Sequence, residues 1–269
     1  MKNLFNNVRE QVPLVHCITN YVTVNDCANV LLACGASPIM ADEADEVAEI
    51  TTLCRALVLN IGTLNTRTVQ AMRLAGQTAG QLGHPVLLDP VGAGASRLRT
   101  ATAMELLENL NITVLRGNIS EIKAVATGNG ATQGVDAAPE DEVTEANLPQ
   151  TLAFVRTLAR RTHTIVAVSG AIDVLADADR VASVRNGHPL MPKVTGSGCM
   201  LSALVGAFLA ANPVRPFDAT LAAFCAMGVC GERAAKTASG NASFRSGMLD
   251  AMSQLDGETL EREAKYVLH

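Results

Sequence analysis

The chain has no tryptophan, and aromatic residues fill only 3% of its 269 positions. Its core is therefore expected to be built from Ala, Val, Leu, Ile and Met, with small residues packing helices closely onto a sheet. Clustered basic residues are also missing, and the formal net charge is -5. Binding to a phosphate backbone needs grouped Lys and Arg, so nucleic acid is not expected as a partner. No stretch of about 18 uncharged apolar residues occurs. The segment from Met1 to Glu10 is polar and has no apolar signal core, so neither a membrane partner nor a leader is expected. The seven cysteines (Cys17, Cys27, Cys34, Cys54, Cys199, Cys225 and Cys230) include no Cys-x-x-Cys pair. That spacing argues against a zinc site or a disulfide framework. Most of them lie in apolar runs, as small buried hydrophobes do, and unpaired thiols fit a reducing cytoplasm.

What is present is a regular alternation of short apolar runs and helical patterns. Strands are expected at 14–18, 38–40, 56–60, 85–89, 112–116 and 164–168. Helices are expected at 25–33, 45–53, 66–82, 98–107, 120–126 and 148–160. Repeated β-α units of this length imply a mainly parallel sheet covered by helices on both faces. Two runs at 172–176 and 180–184 flank Asp177-Ala178-Asp179, which predicts a hairpin and antiparallel strands at one edge. Beyond Cys199 the pattern is almost wholly helical. The stretch 128–145 is rich in Gly, Asp and Glu and reads as a surface insertion. One domain over 1–269 is the simplest account.

Ligands of open parallel sheets bind beyond the C-terminal ends of the strands. Polar residues recur there: Asn20, Asn60, Asp89, Arg116 and Ser169. Any one of them alone is an ordinary turn residue or cap. Asp89-Pro90-Val91-Gly92-Ala93-Gly94 places a carboxylate before a small-residue loop, an arrangement that suits a hydrated Mg²⁺ or a phosphate tail. A dinucleotide fingerprint is broken there, because Arg97 stands where the third glycine belongs. In Arg116-Gly117-Asn118-Ile119-Ser120-Glu121, the Asn118–Glu121 spacing fits a helix cap and equally a carboxylate near a metal, with Arg116 as a phosphate clamp. His16 reads as a packed residue rather than a ligand.

The strongest motif is Val194-Thr195-Gly196-Ser197-Gly198-Cys199, followed directly by a nearly uncharged helix pattern. Small residues let the backbone approach a ligand, and a helix start aims free N–H groups at an anion. Gly196, Ser197 and Gly198 thus form a candidate phosphate cradle. Cys199 beside it is a candidate proton acceptor, with a partial thiolate expected from the helix terminus.

Taken together these blocks resemble the hydroxyethylthiazole kinase family of thiamine salvage. The resemblance runs from Pro13-Leu14-Val15-His16-Cys17-Ile18-Thr19-Asn20-Tyr21-Val22 through Gly35-Ala36-Ser37-Pro38-Ile39-Met40 and Asn60-Ile61-Gly62-Thr63-Leu64. It continues through the Asp89, Arg116 and Gly196 blocks in the same order. It implies a ribokinase-like three-layer α/β/α sandwich. It also implies transfer of the ATP γ-phosphate to the primary alcohol of 4-methyl-5-(2-hydroxyethyl)thiazole, in a homotrimer with active sites between subunits. By motif, Cys199 would face the substrate hydroxyl, and Met40, Gly196 and Asn20 would contact the thiazole. Arg116 and Ser169 would contact ATP, and Asp89 and Glu121 would organise Mg²⁺ through water. Ser169 and Ser197 stand where threonine is usual, and both keep the hydroxyl. The alternatives on the same fold are a hydroxymethylpyrimidine-type kinase and an ATP-dependent NAD(P)H-hydrate dehydratase. A non-catalytic sensor would be expected to lose Asp89, Glu121 or Cys199, and all three are present.

Overall fold

The first six strands run parallel: β1 (Leu14–Ile18), β2 (Ser37–Ile39), β3 (Ala56–Asn60), β4 (Val86–Asp89), β5 (Val114–Asn118) and β6 (Ile165–Ser169). Three antiparallel strands complete one edge: β7 (Asp173–Ala176), β8 (Val181–Val184) and β9 (Tyr266–Leu268). The structure is a computed structural model that describes residues 1–128 and 142–269. Among the described residues the strands form a single nine-stranded sheet in the order β2-β1-β3-β4-β5-β6-β7-β8-β9. Of the 128–145 insertion, residues 129–141 lie outside the described residues.

Side chains alternate across the pleat and so build two cores. Val15, Ala56, Val58, Leu87, Val114 and Ala167 face one side. There they meet α1 (Lys2–Gln11), α2 (Val24–Cys34), α8 (Ser197–Ala211), α9 (Pro216–Ala235), α10 (Asn241–Gln254) and α11 (Gly257–Glu263). Leu57, Leu59, Val86, Leu88, Leu115 and Val166 face the other side. There they meet α3 (Val47–Leu53), α4 (Thr66–Leu82), α5 (Arg97–Asn109), α6 (Ile119–Thr127) and α7 (Leu148–Thr162). This is the expected three-layer sandwich. Because both faces of the sheet are covered, its strands read as continuous apolar runs rather than as an alternation. No helix among the described residues is long and apolar enough to cross a membrane.

Three elements depart from the sequence expectation. β5 begins two residues late, because Ile112 turns back on the Leu110 carbonyl before Thr113 joins the Val86 carbonyl. Arg116 therefore sits inside the strand, opposite Ala167, and not at its end. The polar N-terminal segment is a helix, α1, whose Leu4, Phe5 and Val8 are buried on one face. The C-terminal region is not wholly helical, since β9 pairs with β8. The hairpin is as expected: the Asp177 side chain accepts the N–H groups of Asp179 and Arg180 and so closes its turn.

Candidate active site

Neighbouring strand ends put their polar residues in one connected line. Asn60 and Asp89 close β3 and β4 and are register partners. The Asn60 amide donates from Nδ2 to Asp89 Oδ2 at 2.8 Å. Asn20, two residues beyond β1, donates from Nδ2 to Asn60 Oδ1 at 3.0 Å. The sulfur of Cys199 lies against both amides, 3.2 Å from Asn20 Nδ2 and 3.3 Å from Asn60 Nδ2. On the far side, Ser202 Oγ donates to Asp89 Oδ2 at 2.7 Å, and Arg116 Nη1 stands 3.6 Å from the same oxygen. Arg116 Nη2 donates to Ser169 Oγ at 2.6 Å. One continuous network thus links Asn20, Asn60, Asp89, Arg116, Ser169 and Cys199.

The start of α8 is shaped to meet it. Gly196 caps this helix at φ 92°, in the left-handed region, and a Cβ there would lie 2.7 Å from Thr23 Cγ2. At Gly198 a Cβ would lie 3.0 Å from Arg116 Nη1, so glycine lets the guanidinium rest against the helix terminus. The first intrahelical bond runs from the Met200 N–H to the Gly196 carbonyl at 2.8 Å. The N–H groups of Gly198 and Cys199 precede it. Ser197 N–H instead turns back to the Val194 carbonyl at 3.3 Å, which narrows the candidate cradle to Gly198 and Cys199.

The electrostatics correct one expectation. The Cys199 thiol is not lowered toward a partial thiolate: burial and the nearby Asp89 charge push it up, outweighing Thr23, Asn20 and Arg116. A helix terminus favours an anion only where solvent loss and a like charge do not outweigh it. Burial also raises Asp89, against the pull of Arg116, Ser202 and Asn60. Glu121 is pushed up to about 7 by burial and by Asp89.

Glu121 fills the capping role that its spacing allowed. With Asn118 it makes a reciprocal capping box: Asn118 Oδ1 accepts the Glu121 N–H at 2.8 Å, and Glu121 Oε2 accepts the Asn118 N–H at 2.8 Å. Its Oε1 accepts the Gly92 N–H at 2.7 Å, which ties down the loop after Asp89. Asp89 Oδ1 is buried and has no hydrogen-bond partner. No group of three or more His, Cys, Asp or Glu able to hold a metal occurs among the described residues. Two carboxylates with one unclaimed oxygen suit a cation that keeps most of its water, as Mg²⁺ does, and do not suit one that needs a full protein cage.

Met40 directly follows β2, half-buried on the far side of β1 from Asn60. His16 is a packed residue, with Nδ1 on Thr51 Oγ1 and Nε2 on the Ala41 carbonyl. Sequence reasoning placed Asn60 at a strand end but left it out of the site, and it missed Ser202, Thr23 and Arg99. Ser202 was detectable, because it lies three residues after Cys199 and so on the same helix face. Arg99 gave no signal. Its guanidinium donates to the carbonyls of Ile61, Val91 and Gly62 at 3.0, 2.7 and 2.8 Å, strapping together the loops after β3 and β4.

Comparison with known proteins gives a consistent result. The model of the hydroxyethylthiazole kinase family matches residues 5–258. The chain is 52% identical over 269 residues to hydroxyethylthiazole kinase from Clostridium acetobutylicum, covering 99% of this chain and 98% of that protein. A solved hydroxyethylthiazole kinase from Pyrococcus horikoshii superposes with a TM-score of 0.90 at 37% identity, covering 100% and 98% of the two chains. A ribokinase-like superfamily protein from Enterococcus faecalis superposes with a TM-score of 0.63 at 13% identity, which shows a shared fold alone.

Proposed function

The chain belongs to the hydroxyethylthiazole kinase family, and on that premise we propose how the network at the strand ends moves the ATP γ-phosphate to the thiazole alcohol. The activity is that of an ATP-dependent kinase: the primary hydroxyl of 4-methyl-5-(2-hydroxyethyl)thiazole gains the phosphoryl group and ADP leaves. The alternatives on this fold are not favoured, since the relatives that match over the full chain are hydroxyethylthiazole kinases.

The observation that carries the residue assignment is the juxtaposition of Cys199, the α8 terminus and Arg116 in one hydrogen-bonded network. Arg116 and the first-turn N–H groups of α8 face the transferring phosphoryl oxygens, and Ser169 orients Arg116. The substrate oxygen attacks phosphorus on the side of Cys199, with Asn20, Met40 and Gly196 around the thiazole. As the new O–P bond forms and the bond to the ADP oxygen breaks, the alcohol proton passes to the thiolate form of Cys199 and leaves it as the thiol. The transition state of phosphoryl transfer is loose, so this proton leaves late and positioning supplies most of the rate. Asp89, with its unclaimed Oδ1, and Glu121 are the residues that would hold Mg²⁺ through water. When bound, that ion neutralises charge on the phosphates.

The working unit is read as one kinase domain in a homotrimer. That reading is supported by the continuous sheet and by exposed apolar side chains. Tyr21 and Val22 are 77% and 61% exposed beside Asn20, and Leu32 and Leu53 are also exposed, on α2 and α3. Seven unpaired cysteines support a reducing, cytoplasmic setting. The test measures ADP release from Mg·ATP with the thiazole alcohol, a pyrimidine alcohol and hydrated NADH in turn, beside sedimentation of the protein. Turnover with the thiazole alcohol at least tenfold above the others supports the reading. Preference for either competitor would overturn it.

A further inference from the structure

Among the described residues, Asn60 is the one side chain that hydrogen-bonds to both Asp89 and Cys199. It is buried, 2% exposed, and each of its amide atoms has a defined task. Its Oδ1 accepts the Gly62 N–H at 2.9 Å and the Asn20 amide at 3.0 Å. A backbone N–H can only donate, so it fixes which way the Asn60 amide faces. Nδ2 is thereby turned toward the two functional groups, 2.8 Å from Asp89 Oδ2 and 3.3 Å from Cys199 Sγ. Asn20 is locked in the same manner, because its Oδ1 accepts the N–H and the hydroxyl of Thr23 at 3.1 and 3.0 Å. The sulfur therefore meets two N–H donors and no amide oxygen.

We propose that Asn60 is a positioning residue for the phosphoryl transfer: with Asn20 it donates to the Cys199 sulfur, which favours the thiolate and leaves its remaining lone pair toward the substrate hydroxyl as the acceptor. The proposal rests on Cys199 being the proton acceptor. Asn60 acts mainly through Cys199 and only weakly through Asp89. Without Asn60, Asp89 Oδ2 keeps the Ser202 hydroxyl at 2.7 Å and Arg116 at 3.6 Å. Cys199, in contrast, loses one of its two amide donors directly. The second, Asn20 Nδ2, loses its other acceptor but stays oriented by Thr23. A Cβ at Gly62 would lie 2.9 Å from both Asn60 Oδ1 and Asn20 Nδ2, so the loop closes tightly over the pair.

The test is a double-mutant cycle on the full-length enzyme with Mg·ATP and the thiazole alcohol. Asn60→Ala is expected to lower kcat by about 10- to 100-fold, with KM for ATP changed less than about threefold. In the Cys199→Ala background the same substitution is expected to cost less than about threefold, because the group it acts through is gone. A purely structural residue would cost the same in both backgrounds, and that additive result overturns the proposal while leaving Cys199 as the acceptor. A Cys199→Ala enzyme with near-normal kcat overturns both. Should Asn60→Ala be unfolded by circular dichroism, Asn60→Ser carries the same cycle. If both are unfolded, Asn60 is a structural residue and the proposal fails.

Discussion

Asn60 and Asp89 face one another across β3 and β4, and an amide hydrogen of the first is shared with a carboxylate oxygen of the second at 2.8 Å. The parallel register delivers this contact, since both residues close their strands at the same level. The carboxylate accepts from Asn60 and Ser202 through Oδ2 and keeps Oδ1 unclaimed. Asp89→Asn removes the charge and sets an amide group against two existing donors. Its kcat is expected to fall by about 10² or more, with a higher Mg²⁺ concentration needed for half-maximal rate. A Mg²⁺ titration of initial rates checks this. A half-maximal Mg²⁺ concentration equal to that of the wild type would remove Asp89 from the cation site.

Cys199→Ala is expected to lower turnover by about 10² to 10⁴, the usual span for a lost general base. Cys199→Asp is expected to remain active, since a carboxylate there also accepts a late proton. Because burial and Asp89 raise the thiol, the wild-type rate is expected to climb with pH between about 7 and 9, as more thiolate forms. The Asp variant lacks the thiol and should lose that climb. Matching pH–kcat profiles for the two enzymes would refute the assignment.

Gly198→Ala places a methyl 3.0 Å from Arg116 Nη1 and 3.1 Å from Nη2. The guanidinium must retreat from the α8 terminus, and Ser169 with it. KM for ATP is expected to rise roughly tenfold, the effect of loosening one charge-assisted contact, while KM for the thiazole alcohol changes little. Separate saturation curves for the two substrates decide the matter, and an effect confined to the thiazole would contradict the placing of Arg116.

Stability carries its own pH signature. Glu121 and Asp173 are each pushed up to about 7, in both cases chiefly by burial. Unfolded carboxyls titrate near about 4, so the folded state binds more protons from there to about 7. Their contribution is fully present below the unfolded value and is lost as pH rises through the folded one. Buried His16 is lowered and works the opposite way, but only below about 6.5, where an unfolded histidine takes up its proton. From about pH 6.5 to 8 the carboxylates and, toward pH 8, the buried thiols that burial raises act in the same direction, and the melting temperature without Mg²⁺ is expected to fall across that window. Thermal melts in matched buffers would show it, and a flat or rising trend would mean that these groups ionise as freely folded as unfolded.

Much of this was legible in the chain. The alternation of apolar runs gave the parallel sheet, because strands covered on both faces must be apolar throughout. The Gly196–Cys199 motif led to the α8 terminus, because only small residues allow Thr23 and Arg116 to come so near. What escaped were relationships set by tertiary pairing. The position of Arg116 depended on a turn at Ile112, and β9 on a distant partner strand. Arg99 acts through three backbone carbonyls, which leave no trace in residue type. The state of Cys199 was misjudged because local sequence shows the helix start but not the burial or the Asp89 charge, which comes from a strand more than a hundred positions earlier.

From Met200 to Ala211, α8 is buried on every side. A helix so enclosed cannot tilt without opening voids in a closely packed interior. Its first turn, with Cys199 and the adjoining N–H groups, is accordingly held still before any nucleotide arrives. Little reorientation of dipoles is left for the moment of transfer, so the reorganisation cost of the chemical step is small. Adaptation of this enzyme to cold or heat would then fall to the loops and exposed helices around that fixed mount.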